Sequence, residues 1–219
     1  MMKIISLVNS KGGTGKSTLS INLARYTQIH RCVNAEKHTP KVLLVDSDQN
    51  GTVKDWHEAG GNKIIDAIFG GKSVVSQLRT MNLDYDYIFI DTPGRVSEIM
   101  ASAIVISDLV LIPVQPSAYD LWGTSDALEI VDSRQTVANG KPLCKFLLNR
   151  CRSNTNLSKD VKTYLHTSTH GQIHTNIEER VIFAESGQKG RTVFESGNLL
   201  AIDSIIGAGN EIMEILDNV

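Results

Sequence analysis

A short glycine- and lysine-rich segment near the start of the chain carries the strongest chemical signal. Residues 9–18 read Asn-Ser-Lys-Gly-Gly-Thr-Gly-Lys-Ser-Thr, after an apolar run at residues 4–8 and before a segment with helical spacing. A strand, a glycine loop and a helix that begins with lysine and hydroxyl residues together predict a cradle for a nucleotide triphosphate. Glycines let backbone N–H groups crowd around phosphate oxygens, and the helix N-terminus adds positive potential.

Within this loop we expect Lys16 to reach the β- and γ-phosphates and Ser17 to bind Mg²⁺. The usual phosphate-loop pattern, G-x-x-x-x-G-K-[ST], is altered here, because Ser10 stands at its first glycine and a second lysine follows at Lys11. A glycine-rich turn with two incidental lysines is the alternative interpretation. The expected nucleotide contacts of the loop are Lys11, Gly12, Gly13, Thr14, Gly15, Lys16, Ser17 and Thr18.

Carboxylates follow two other apolar runs. Asp91 ends the run at residues 87–91 and opens Asp-Thr-Pro-Gly, where it can hold Mg²⁺ through water. Asp46 and Asp48 follow a second run at residues 42–45, and we expect one to orient the ion and the other the attacking water. A solvated turn is the alternative for residues 46–51, since Asp, Asn and Gly all favour turns.

Apolar runs alternate with helical periodicity along the chain, which predicts an α/β fold: a mostly parallel, twisted sheet with helices on both faces. In such sheets ligands bind at the carboxyl ends of the strands, where the motifs lie. Without a repeat or linker, residues 1–219 are expected to form a single domain. The predicted strands are residues 4–8, 42–46, 87–91, 109–114, 144–149 and 173–177, and the predicted helices lie near 16–28, 72–81, 97–107, 121–138, 157–166 and 199–217.

Composition argues against several classes of protein. A chain of 219 residues that is 41% hydrophobic and carries a net charge of −2 has the balance of a globular domain with a sizeable core. No apolar run approaches the roughly 18 residues of a membrane span, and no secretory signal is evident. The scattered cysteines, Cys32, Cys144 and Cys151, fit a reducing cytosol. Trp56 and Trp122 are expected to pack in the core.

Taken together, these motifs resemble the ParA/MinD superfamily of ATPases, which carry a deviant Walker A box. Residues 45–51 read V-D-S-D-Q-N-G, close to the V-D-x-D-P-Q-G of ParA-type partition ATPases but without the proline. Residues 107–117 and 190–195 also match family segments, so the resemblance covers nearly the whole chain. It is similar to the short ParA subclass, which lacks an N-terminal DNA-reading domain. The resemblance implies a P-loop NTPase fold of the deviant Walker A type.

The resemblance implies roles for individual residues. Asp48 would be the acid needed for hydrolysis, and Lys11 would cross a two-fold interface to the phosphates of a partner subunit; a solvated loop lysine is the alternative. Asn149, with Arg150 beside it, would read adenine, although Glu178 replaces a proline that often lies against the base. The implied catalytic residues are Lys11, Lys16 and Asp48, and the implied metal site is Ser17, Asp46 and Asp91.

The resemblance also implies a function that uses ATP and Mg²⁺. ATP would close a homodimer on nonspecific DNA, and a centromere-binding partner protein, for which a ribbon-helix-helix fold is one option, would stimulate the slow intrinsic hydrolysis and release the DNA. Such a protein would act in the cytoplasm on the nucleoid and segregate a plasmid or another DNA cargo. The alternative is a superfamily ATPase that positions a protein assembly, or the cell-division or surface machinery, without DNA. An acidic C-terminal helix disfavours a membrane partner.

Charge is distributed unevenly along the chain. Between Arg134 and Arg191 there are ten Lys and Arg residues against four Asp and Glu, although ordinary solvated surface would explain the same count. Such a stretch can bind DNA phosphates without reading sequence. The candidate contacts are Arg180, Lys189 and Arg191, with Lys159 and Lys162 as weaker ones. The long connection at residues 28–41 has no role that the sequence identifies.

Overall fold

One parallel sheet organises the protein. A computed structural model describes residues 2–30, 39–81, 83–152 and 155–218. The strands of the sheet are β1 (Lys3–Leu7), β2 (Val42–Asp46), β3 (Asp66–Phe69), β4 (Tyr87–Asp91), β5 (Leu109–Val114) and β6 (Leu143–Leu148). Their spatial order is β3-β2-β4-β1-β5-β6, and every pair of neighbours is parallel. The fold class predicted from the sequence is confirmed.

Helices cover both faces of this sheet. Side chains alternate between the faces along each strand, so that Ile5 of β1 and Ile4 beside it belong to different core clusters. The helices are α1 (Lys16–His30), α2 (Thr52–Glu58), α3 (Lys72–Gln77), α4 (Glu98–Ile106), α5 (Ala118–Trp122), α6 (Ser125–Val137), α7 (Asn156–Thr167), α8 (Ile182–Gln188) and α9 (Leu199–Asp217). The cluster around Ile5 includes residues of α1, α2 and α9, whereas the clusters on the other face include residues of α3, α4, α6 and α7.

The prediction of a strand at residues 173–177 is wrong. This segment runs beside β6 and donates only two of its N–H groups to that strand, from Ile173 to Phe146 and from Ile177 to Leu148. Between them, the N–H groups of His174 and Thr175 donate to the Glu211 carboxylate, at 2.6 and 2.8 Å. A carboxylate of α9 therefore takes the place of strand partners, and no regular ladder forms here.

Several short elements differ from the sequence prediction. The edge strand β3 and the helices α2 and α8 were not predicted, because segments of four to seven residues carry little periodicity. The helix predicted at 121–138 is two helices, α5 and α6, separated at Gly123 and Thr124. Trp56 packs in the core as expected, but the expectation for Trp122 is wrong, since it is 68% exposed.

Both cysteines within the described residues are buried and form no disulfide. Burial raises the pKa of the Cys144 thiol to about 12 and that of the Cys151 thiol to about 11.

Residues 31–38 of the long connection, which include Cys32, lie outside the described residues. Within the described ranges, no helix is long and apolar enough to cross a membrane.

Candidate nucleotide site

The phosphate loop connects the central strand β1 to α1. Helix α1 begins directly at Lys16, and the N–H of Leu19 donates to the Gly15 carbonyl at 2.9 Å, which leaves the preceding N–H groups of the loop free of the helix ladder. Gly15 has φ = 98°, in the left-handed region that favours glycine. A Cβ atom at this position would also lie 2.2 Å from Nδ2 of Asn149, so a larger residue would displace the loop from β6.

An open cavity of about 440 Å³ lies over this loop at the carboxyl ends of the strands. Its walls come from the loop, from the segment after β2 and from the segment after β4, as the positions of the motifs predict. Gly94, in the last of these, packs so close to the loop that a Cβ would lie 2.9 Å from Cα of Gly12. The lining residues are Gly12, Gly13, Gly15, Lys16, Ser17, Thr18, Asp48, Gln49, Asn50, Thr52, Thr92, Pro93, Gly94, Arg95 and Arg150.

Lys16 lies inside the loop with 7% of its surface exposed. Its Nζ atom donates to the carbonyl oxygen of Lys11 at 3.2 Å, which curls the side chain across the glycines. Burial lowers the pKa of Lys16, while attraction to the carboxylates of Asp91 and Asp48 opposes that effect. A partly desolvated ammonium group in this position binds phosphate oxygens more strongly than it would in water.

Asp91 and Ser17 form the candidate magnesium position. The Ser17 hydroxyl donates to Oδ2 of Asp91 at 2.6 Å, and Oδ1 of Asp91 is buried without a hydrogen-bond partner among the described residues. Burial, with nearby Asp46 and Asp48, raises the pKa of Asp91 to about 7 against the opposing effects of Ser17 and Lys16. A carboxylate oxygen and a hydroxyl are the hard oxygen ligands that Mg²⁺ prefers, so these residues fit the ion.

Asp46 and Asp48 play different structural parts. Asp46 is buried, and its two carboxylate oxygens accept N–H bonds from Asp48 at 3.1 Å and Lys54 at 2.9 Å, which shapes the turn after β2. Burial raises the pKa of Asp46. Asp48 is half-buried and lines the cavity, where its carboxylate can orient a water molecule. Asp46, like Asp91, is buried and does not itself line the cavity, so its predicted contact with the metal remains a prediction.

Lys11 points away from the cavity in a single subunit. Its Nζ atom lies 2.9 Å from Oδ2 of Asp120, and it keeps 41% of its side chain exposed while Asp120 is buried. Asp120 belongs to the short helix α5, which also carries Tyr119 and Trp122, 73% and 68% exposed. These two rings pack edge-to-face at 5.4 Å, so an aromatic pair and a lysine stand together beside the phosphate loop.

The predicted adenine-reading residues lie at a second, smaller cavity. Asn149 is buried, and its Nδ2 donates to the Thr14 carbonyl at 2.8 Å, which joins the end of β6 to the phosphate loop. Arg150 has φ = 52°, and it lines both the large cavity and the smaller one of about 100 Å³. The structure thus places Asn149 as a support of the loop and Arg150 at the junction of the two cavities.

The candidate DNA contacts have different surroundings. Lys189 and Arg191 are exposed at the end of α8, and neither makes a salt bridge to a described residue. Arg180 instead lines the small cavity and pairs with Glu178. Lys159 and Lys162 lie on α7 and line a further cavity together with Glu178, the ion-pair partner of Arg180. The DNA contacts of all five residues remain a prediction.

Sequence reasoning missed Arg95 and Asp120. Arg95 is exposed, lines the large cavity and directly follows Asp-Thr-Pro-Gly, so its position after that motif was the available signal. Its guanidinium can add positive charge near the phosphates. Asp120 carried no such signal, because only the packing of α5 against the loop brings it to Lys11, with the Ser10 hydroxyl donating to the Gly123 carbonyl at 2.5 Å.

A parallel sheet, a glycine loop ending in Lys-Ser and a buried aspartate on the neighbouring strand define a P-loop nucleotide-hydrolase. A profile of the AAA domain family matches residues 2–69 and 59–141. The chain belongs to this family, and it is a member of the ParA/MinD superfamily of partition-type ATPases.

Individual relatives support this membership. The chain is 26% identical over 221 residues to "Maintenance of carboxysome distribution protein A" of Halothiobacillus neapolitanus, covering 98% of this chain and 95% of that protein. It is 29% identical over 143 residues to "Protein ParA" of Rhizobium radiobacter, covering 64% of this chain and 61% of that protein. In fold, it is similar to a putative plasmid partition protein from Borrelia burgdorferi B31 bound to AMPPNP, with a TM-score of 0.72, 20% identity and full coverage of both chains.

Proposed function

We propose that this protein is an ATP-dependent dimerising partition ATPase that binds nonspecific DNA in its ATP state. The observation that carries the proposal is the large cavity, where the phosphate loop, Asp48 and the Asp91–Ser17 pair converge. The loop and Lys16 would hold the triphosphate. Ser17 and Asp91 would hold Mg²⁺, which would neutralise charge on the phosphates. Asp48 would orient the attacking water.

The surroundings of Lys11 support the proposed dimer. An exposed lysine beside the phosphate loop can reach the nucleotide of a second copy once its contact with Asp120 is exchanged. Tyr119 and Trp122 supply apolar surface that water solvates poorly and a second copy would cover. A closed two-fold dimer uses the same patch twice, so both nucleotides would be completed together.

DNA binding would depend on this dimer. Lys189 and Arg191 contribute few phosphate contacts in one subunit, and nonspecific binding needs several at once. Two copies double the contacts and act through effective concentration. Hydrolysis, slow in the isolated protein and stimulated by a partner protein, would dissolve the dimer and release the DNA. The cargo would then be a plasmid or another DNA cargo.

The test is fluorescence anisotropy on random-sequence duplex DNA, with and without ATP and Mg²⁺, at several salt concentrations. We expect binding only with ATP, no sequence preference, and a steep loss of affinity with salt. If the ATP-bound dimer has no affinity for this DNA at low salt, the proposed DNA-binding function is contradicted.

The second candidate function is the positioning of a protein assembly without DNA. The positioning of an assembly is favoured by the relative named for carboxysome distribution, whose similarity extends over nearly the whole of both chains. That name does not bear on DNA, so the anisotropy assay decides this part of the alternative. An ATP-dependent dimer that ignores DNA in the anisotropy assay, yet hydrolyses ATP faster with an assembly-bound partner, would support this second function.

A further inference from the structure

A small cavity continues the nucleotide cavity beyond the phosphate loop. The two cavities share Gly15, Thr18 and Arg150, and the smaller one is closed by residues 177–184. A triphosphate held by the loop would extend its nucleoside toward this second space, because the large cavity is lined mainly by phosphate-binding groups. Phe183 provides an apolar wall on which a base ring can rest.

Arg180 lines this small cavity and carries a donor without a hydrogen-bond partner among the described residues. Its Nη2 group donates to the carboxylate of Glu178, and only 25% of its side chain is exposed. Its Nε atom is buried and has no hydrogen-bond partner among the described residues. A buried N–H group without a partner is costly, and such groups in folded proteins usually have a ligand, an ion or water as partner.

We propose that Glu178 and Arg180 read the adenine base as a pair. The Glu178 carboxylate accepts a hydrogen bond from the 6-amino group, and the Arg180 guanidinium donates to a ring nitrogen beside it. The carboxylate has about four acceptor positions, so an amino group can add to the partners that Glu178 has within the protein, Arg180 among them. This inference rests on the nucleotide function proposed above and names the residues that select the base.

The pair is complementary to adenine and not to guanine. Adenine presents a donor amino group next to acceptor nitrogens, so a carboxylate beside a guanidinium matches it in order. Guanine places its O6 acceptor where adenine has the amino group, and this oxygen would face the Glu178 carboxylate. The resulting repulsion and the lost hydrogen bonds make discrimination of about tenfold or more the expected result.

The experiment measures nucleotide affinity by calorimetry with Mg²⁺, first on the parent protein. We expect AMPPNP to bind at least about tenfold more tightly than GMPPNP. Purine riboside triphosphate, which lacks the 6-amino group, should lose about tenfold relative to ATP. Either 7-deaza-ATP or 1-deaza-ATP should lose a similar factor, and the analogue that does so identifies the ring nitrogen that Arg180 contacts.

Substitutions then connect these losses to the two side chains. Arg180→Met should weaken ATP binding about tenfold and remove the penalty of the sensitive deaza analogue. Glu178→Gln should narrow the preference for AMPPNP over GMPPNP, because an amide can donate to O6. Arg152→Met is the matched control: Arg152 also pairs with a glutamate, Glu179 at 2.7 Å, but it is exposed and does not line the small cavity.

The inference is overturned if the parent binds all the purine analogues with equal affinity, or if Arg180→Met leaves the pattern of affinities unchanged. Neither result concerns the contacts to the phosphates, so the proposed ATPase function would stand. A parent protein that binds no nucleotide would contradict both this inference and the proposed ATPase function. Because the analogue series needs no substitution, a variant that fails to fold does not obscure the outcome.

Discussion

The two ends of the nucleotide site are built in different ways. At the phosphate end, backbone groups and short motifs that directly follow β1, β2 and β4 supply nearly all the candidate contacts. At the base end, side chains of residues 149–150 and 177–184 meet only because the late segment folds back along β6. The candidate phosphate contacts thus come from local motifs, whereas the proposed recognition of the base and of DNA would depend on long-range packing.

The largest expected effect tests the phosphate end. Lys16→Ala removes the buried ammonium group, and ATP affinity should fall at least about 100-fold in calorimetry with AMPPNP and Mg²⁺. The exposed Lys54 serves as the control, and Lys54→Ala should bind as the parent does. An unchanged affinity in Lys16→Ala would remove the lysine from the phosphate site.

Asp48→Ala should separate hydrolysis from binding. We expect the variant to bind ATP and to lose turnover about 100-fold, because the attacking water is no longer oriented by a carboxylate. It should also accumulate as a dimer in size-exclusion chromatography with light scattering. Asp55→Ala, on the neighbouring helix α2, is the control. Turnover at the parent rate would exclude Asp48 from this role.

Lys11→Ala should bind ATP as a monomer. The reason is that, in the proposed dimer, Lys11 would complete the site of the second copy and contribute little to its own. Light scattering with ATP measures the loss of dimer. Asp120→Asn is the informative companion, because it weakens the contact that holds Lys11 in its own subunit, so this variant should dimerise at least as well as the parent. A Lys11→Ala protein that dimerises normally would contradict the crossing role.

Charge reversal at the end of α8 tests the late segment. Lys189→Glu or Arg191→Glu should lower the DNA affinity of the ATP-bound dimer about tenfold at low salt and should reduce the slope of affinity against salt. Nucleotide affinity should not change. The control is Lys141→Glu, an equal charge change ahead of β6, at the amino end of the sheet. If both substitutions act alike, the effect is one of net charge and not of this surface.

The smallest effect concerns how the late segment is held. Glu211→Gln weakens the acceptor for the N–H groups of His174 and Thr175, and the free energy of unfolding should fall by about 1–3 kcal/mol. Urea denaturation measures it. Glu214→Gln, exposed on the same helix, should have no effect. Equal stability of the two variants would mean that the segment at residues 173–177 does not depend on this carboxylate.

The sequence predicted the placement of candidate functional residues correctly where they are adjacent in the chain to the strand or helix that positions them. The glycines of the phosphate loop, the lysine and hydroxyl that begin α1, and the acid that ends β4 are adjacent in sequence to the elements that position them. Hydrophobic periodicity did not predict β3 and α2, because these elements are too short to show it. It wrongly predicted a strand at residues 173–177, where the Glu211 carboxylate accepts N–H groups in place of a neighbouring strand.

The sequence by itself determined the parallel α/β fold and the phosphate loop, because a buried strand followed by glycines and Lys-Ser has few other physical uses. It also determined that the acids after β2 and β4 lie near this loop, since parallel strands bring their carboxyl ends to one edge. Only the tertiary structure decided that Lys11 contacts Asp120, that Arg180 lies at the small cavity and that Trp122 is exposed. Those outcomes depend on which distant segments pack together. The contacts of a side chain with distant segments cannot be predicted from the local pattern of residue types.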